Sequence, residues 1–217
     1  KKHEVKTLEE VQYPSLAMFP KGCSTESAEE PDEAQENDAA ATDCQETPKP
    51  TKELKSGEHV IIPENAKGYS YQKLFAAHLK GAQEITIRDP YVRKFWQVKN
   101  ILELLQVIHR GIPDGDEAEV HLVTISDPDQ PEKQDDNLQQ VAQTMEGSKL
   151  AFTFEYDTSP GFHARSIETD TGWKITLDRG LDFFQPYDSK ALSLASMSQE
   201  ERMTRACEIT YLRVSEE

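Results

Sequence analysis

Residues 162–184 read FHARSIETDTGWKITLDRGLDFF, and they place a histidine, an arginine and an aspartate at His163, Arg165 and Asp170. Side chains two apart on a strand project from the same face, so His163 and Arg165 point together if this stretch is a strand. Asp170 then falls at the turn DTG. The trio is either half of a phosphodiester-cleaving site or the framework of a module that only binds. The same groups also suit a cradle that binds phosphate without turnover, or a structural hydrogen bond between His163 and Asp170. Arg179, on the second arm of the predicted hairpin, is within reach of the His163 site because a hairpin brings its arms into contact. The alternative is a local ion pair with Asp178 or Asp182. Lys174 on the same arm joins the candidate ligand-binding set.

A second group lies in RDPYVRKFWQVK, residues 88–99. Arg88, Tyr91, Arg93, Lys94 and Lys99 cluster with Phe95 and Trp96 where a strand should end and a helix begin, a place where backbone amides and the helix dipole favour anions. Cations mixed with aromatics can hold a lipid headgroup or an unstacked base. Arg88, Tyr91 and Arg93 are the candidate ligand-binding residues here. The competing reading makes Phe95 and Trp96 core and the cations a solvated face. His78, His109 and His121 are isolated and read as helix or strand surface residues. Cys23, Cys44 and Cys207 show neither metal-ligand spacing nor a disulfide framework, which fits a reducing, cytoplasmic setting. With no Gly-rich phosphate loop and no metal-ligand spacing, neither a metal nor a cofactor is expected.

The 217 residues hold 24 Lys and Arg against 40 Asp and Glu, a net charge of -16. Such a chain repels nucleic acid and anionic membranes as a whole, so any phosphate-bearing ligand must be held by a local basic site. No apolar run approaches the roughly 20 residues that span a bilayer, and no signal-peptide pattern appears. The chain starts at Lys1 and not at methionine, and is expected to be the C-terminal piece of something longer.

Three parts are expected. Residues 1–20 are either the end of an upstream domain or an added element. Residues 21–64 are an acidic linker, with almost no large apolar side chains over 21–58 and so too little burial to offset chain entropy. Residues 65–217 form the domain. In it, apolar residues at helical spacing predict helices over 71–79, with Ser70 as N-cap, over the stretch from Val92 to Gly111, and over 133–149. Strands are predicted at EITIRD, AEVHLVTIS, LAFTFEY, FHARSIET, WKITLD and CEITYLRV. The long excursion 180–205 is of the kind that carries function or meets a partner. The order predicts an α/β fold with a mixed sheet and flanking helices.

GYSYQKLFAAHLKGAQEITIRDPYVR (68–93) and HARSIETDTGWKITLDRGLDFFQ (163–185) resemble the phospholipase D-like domain that follows the microtubule-interacting-and-trafficking (MIT) domain, over residues 65–214. The wording of the second stretch is closer to a bacterial form, found at the C-terminus of Lon-like ATPases of BREX phage-exclusion systems. The resemblance implies half of a phospholipase D site, with His163, Arg165 and Asp170 at the HxK(x)4D positions and arginine in the lysine place. Arginine still holds phosphate, through a fork instead of a point charge. The glycine-serine and asparagine that follow in active members are absent, and WKITLDRG stands there. The expected function is therefore a binding or assembly module for a phosphate-bearing ligand, attached to an upstream ATPase and homo-oligomeric. The alternatives are a homodimeric, metal-independent phosphodiesterase using His163, whose two half-sites would face across a two-fold axis, and a phospholipid-binding module.

Overall fold

A computed structural model describes residues 54–214. The readings for 1–20, and for 21–64 up to residue 53, lie outside the described residues. Seven strands and three main helices run β1 Glu58–Ile62, α1 Tyr71–Leu79, β2 Glu84–Arg88, α2 Phe95–Gly111, β3 Ala118–Thr124, α3 Pro131–Met145, β4 Leu150–Tyr156, β5 Ser166–Thr169, β6 Trp173–Leu177 and β7 Cys207–Arg213. They form one mixed sheet of order β1-β7-β6-β5-β2-β3-β4. Strands β2, β3 and β4 are parallel, and every other pairing is antiparallel.

Period-two alternation sorts the sheet into two faces. Leu122, Ile87, Ile167, Ile175 and Tyr211 lie opposite one another across five strands, and each is buried. The adjacent row of Thr153, His121, Thr86, Glu168, Lys174 and Leu212 is polar but for its last member. The helices cover the apolar face. Ile101, Leu104, Leu105 and Ile108 recur at helical spacing on α2 and are buried, as are Leu74, Phe75 and His78 on α1. His78 stacks on Tyr211 at 4.2 Å and meets Trp173 edge-on at 4.9 Å, so it belongs to the core and not to the helix surface. Ser70 caps α1 by accepting from Lys73 N.

Two boundaries differ from the sequence expectation. The linker expected over 21–64 ends in a strand, β1, which closes the sheet edge against β7 from Glu58↔Tyr211 to Ile62↔Cys207. Its five residues carry three apolar side chains beside an acidic tract, too short a signal to separate from its surroundings. The strand expected from Phe162 begins only at Ser166, so His163 and Arg165 lie in the preceding loop and the shared-face argument does not apply to them.

The excursion 180–205 is held on α2 by a partly buried ion pair. Arg202, 5% exposed, meets both Glu103 oxygens on α2 at 2.7 and 3.0 Å and donates to Ala195 O at 3.0 Å. Its guanidinium lies 4.1 Å from the centre of the Tyr187 ring. Phe183 and Phe184 are buried beside Tyr71, whose hydroxyl donates to Leu181 O at 2.6 Å.

Candidate functional site

Because β5 runs antiparallel to β2 with Arg88 opposite Ser166, the next residues outward, Asp89 and Arg165, meet at one end of these two central strands. The C-terminal end of β6 supplies Arg179, Leu181 and Asp182, the approach to β7 supplies Arg205, and the start of α2 supplies Gln97 and Asn100. With Tyr91 and Val92 these enclose a hollow of about 200 Å³. This is the carboxyl end of the parallel strands, where α/β sheets commonly open to ligands.

Asp89 is the buried acid of the site, 6% exposed. Tyr91 N donates to its Oδ1 at 3.0 Å, and Arg165 Nε stands 4.0 Å from the same oxygen. Burial pushes the carboxyl up to about 6, against the pull of the Tyr91 amide and of Arg165. Gly180 makes the close approach feasible. At φ +62° it occupies the left-handed region, and a Cβ there would overlap Asp89 Oδ2 and lie 3.2 Å from Arg165 Cδ.

Each arginine of the hollow is tethered to a main-chain carbonyl. Arg165 Nη1 donates to Asp178 O, Arg179 Nε to Ala206 O at 2.7 Å, and Arg205 Nη1 to Asp182 O at 3.2 Å. Arg205 also pairs with the Asp182 carboxylate at 3.5 Å. The Arg165 guanidinium lies 4.5 Å from the centre of the Tyr91 ring, and Arg93 5.5 Å from it. A guanidinium has five N–H donors, so one bond to a carbonyl fixes its aim and leaves donors for an anion.

The candidates named from sequence separate in space. Arg165, Arg179 and Tyr91 line the hollow. Arg179 is held by Ala206 O, while Asp182 is taken by Arg205. His163 is exposed in the loop before β5 and is not one of the lining residues. Asp170 lies beyond the far end of β5, roughly 16 Å of extended chain from Arg165 at about 3.3 Å per residue. Its carboxylate accepts from Gln83 N at 3.1 and 3.2 Å, a turn-fastening contact. Lys174 pairs with Glu168 at 2.8 Å on the polar face of the sheet. Arg88 acts on the same glutamate: partial burial raises the Glu168 carboxyl, and hydrogen bonds from Lys174 and Ser166 with the charge of Arg88 behind them outweigh it and hold it low. Lys94 is committed to Asp127 at 2.7 Å and Lys99 to the Tyr187 hydroxyl at 3.0 Å. Phe95 and Trp96 are 62% and 57% exposed, which rules out the core reading for both.

Sequence reasoning passed over Asp89, Gly180, Asn100 and Arg205. A signal existed for two of them. Asp89 directly follows a strand at a Pro-Tyr turn, and Arg205 directly precedes the last strand, so both sit where strand ends gather. Among the described residues no three His, Cys, Asp or Glu side chains come together as a metal site.

A family model for the phospholipase D-like domain at the C-terminus of MIT matches residues 68–213. The chain belongs to this family. MIT domain-containing protein 1 of Mus musculus is 30% identical over 128 residues, which are 58% of this chain and 50% of that protein. The chain thus spans about half the length of this curated relative. A crystal structure of a phospholipase D family member, Nuc from Salmonella typhimurium, is similar with a TM-score of 0.39 and 12% identity, covering 72% of this chain and 85% of that one. No helix among the described residues is long and apolar enough to cross a membrane.

Proposed function

We propose that this phospholipase D-like domain holds a phosphate-bearing ligand in the arginine hollow without turning it over, as a binding or assembly module. The observation that carries the reading is the composition of the hollow: three arginines, each aimed by a main-chain carbonyl, against two aspartates, in a molecule of net charge -16. A local positive site in an acidic protein selects compact anions and rejects extended ones. The position of His163 outside the lining supports binding over cleavage, since a ligand in the hollow meets cations and no histidine.

Calorimetric titration with inorganic phosphate tests this reading. Wild-type protein should bind, and Arg179→Ala should weaken binding by about tenfold or more, as loss of a charged phosphate contact does. Phosphate binding that survives both Arg179→Ala and Arg205→Ala would place the anion elsewhere.

The module is also read as self-associating and, on its resemblance to bacterial relatives, as attached to an upstream Lon-like ATPase in a cytoplasmic polypeptide. The exposed apolar residues Leu192, Leu194 and Met197 on the excursion support a protein-facing surface. The reading frame upstream of Lys1 tests the attachment.

A further inference from the structure

The arginine hollow has a neighbour. Trp96, Phe184, Pro186 and Tyr187, with Gln185, enclose a second hollow of about 350 Å³, and Asn100, Asp182 and Arg205 line both. One hollow is cationic and the other is walled by rings, with Arg205 and a carboxamide at the junction.

Trp96 gives the second hollow its character. It lies in the first turn of α2, 57% exposed, whereas Trp173, the other tryptophan of the chain, is buried at 6%. Among the described residues no ring stacks on Trp96, so its indole faces are available to a ligand. The rest of the aromatic lining is held in place. Arg202 covers the Tyr187 ring at 4.1 Å, Lys99 donates to its hydroxyl at 3.0 Å, and Phe184 is buried. A fixed wall, an open indole and a neighbouring phosphate site are the three parts of a nucleotide-binding cleft.

We infer that the ligand is a nucleotide, with its base against Trp96 in the aromatic hollow and its phosphate among Arg165, Arg179 and Arg205. This rests on the phosphate-binding reading above and names the class of ligand for that site. Asn100, which can both donate and accept, stands between the two hollows and suits a sugar hydroxyl or a base edge. A phospholipid is the poorer fit. A protein of net charge -16 is repelled from the anionic leaflets that carry such headgroups. A soluble nucleotide needs only the local site.

The test is calorimetry on the full chain with four probes: inorganic phosphate, ribose 5-phosphate, adenosine 5′-monophosphate and a short-chain soluble phosphatidic acid. Adenosine monophosphate should bind about tenfold or more tightly than ribose 5-phosphate, with quenching of Trp96 fluorescence. Trp96→Ala should remove that difference and leave phosphate affinity unchanged, while Trp96→Phe keeps part of it. Equal affinity for adenosine monophosphate and ribose 5-phosphate in the wild type overturns the base site but leaves the phosphate site standing. Tighter binding of the phosphatidic acid than of the nucleotide also overturns it, in favour of a lipid. If none of the four probes binds at millimolar concentration, the phosphate reading and this inference fall together.

Discussion

Arg165 Nε and Asp89 Oδ1 face each other across 4.0 Å, an ion pair too long to be a hydrogen bond, at the one place where β2 and β5 end side by side. The pair is under-satisfied at the arginine, while Asp89 accepts from the Tyr91 amide. Arg165 Nε is buried without a hydrogen-bond partner among the described residues, and burial raises the Asp89 carboxyl to about 6. An anion entering the hollow offers Arg165 the acceptor that Asp89 does not supply.

The raised acid fixes a pH dependence. Between about pH 4 and pH 6 the folded chain keeps a proton on Asp89 that the unfolded chain has released, so this group's contribution to stability is present at low pH and is lost as pH rises through about 6. The full effect is about 3 kcal/mol, at about 1.4 kcal/mol per pH unit. Through this group the wild type should be about 1.4 kcal/mol more stable to urea at pH 5 than at pH 7.5, and Asp89→Asn should lack that difference. Sulfate, whose charge is constant over this range, should bind more tightly as pH falls from 7.5 to 5, and Asp89→Asn should flatten that dependence. A sulfate affinity that rises with pH would have the wrong sign for this site.

Gly180→Ala should damage the site before the fold. The left-handed backbone costs a side chain roughly 1 to 2 kcal/mol, and the added methyl overlaps Asp89 Oδ2. Anion binding should drop at least tenfold, while the near-ultraviolet circular dichroism of the buried Trp173 stays native. A variant with wild-type affinity would show that Asp89 can move aside freely.

Arg202 and Glu103 hold the excursion on α2; the guanidinium is buried, the carboxylate is 18% exposed, and both its oxygens are engaged. Removing one partner strands the other, so Arg202→Ala should cost about 3 kcal/mol or more in a denaturation experiment. The double variant Arg202→Met with Glu103→Leu should recover much of that loss. A single variant of unchanged stability would mean that solvent already reaches the pair.

Leu192, Leu194 and Met197 are 108%, 69% and 85% exposed on one short segment. Exposed apolar residues so close together are a contact surface more often than a solvated one. Sedimentation at tens of micromolar should show association that replacing all three with serine abolishes. A monomer at that concentration removes the oligomer.

The element order was readable from the sequence because helical and strand periods are long and clear in KNILELLQVIH, AEVHLVT and LAFTFEY, and these segments became α2, β3 and β4 with ends shifted by a few residues. The site was harder. His163, Arg165 and Asp170 look like one unit along the chain, yet a strand that starts at Ser166 leaves Arg165 at one of its ends and Asp170 beyond the other. What gathers the arginines is strand pairing between segments up to 40 residues apart in sequence, from Arg165 to Arg205, which no local spacing announces. Gly180 was equally silent, because its need for a missing side chain comes from Asp89, a residue 91 positions earlier that follows β2.

The central claim is that the hollow binds a phosphate without chemistry, and one measurement tests both halves of it. Wild-type protein, His163→Ala and Arg179→Ala are each incubated with bis(4-nitrophenyl) phosphate in chelator, with binding followed by calorimetry and cleavage by nitrophenolate release. The account predicts binding by wild type and His163→Ala alike, binding weakened about tenfold in Arg179→Ala, and no nitrophenolate above background from any of them. Release of nitrophenolate by the wild type that His163→Ala abolishes, with binding left intact, would contradict the account and make the domain a phosphodiesterase.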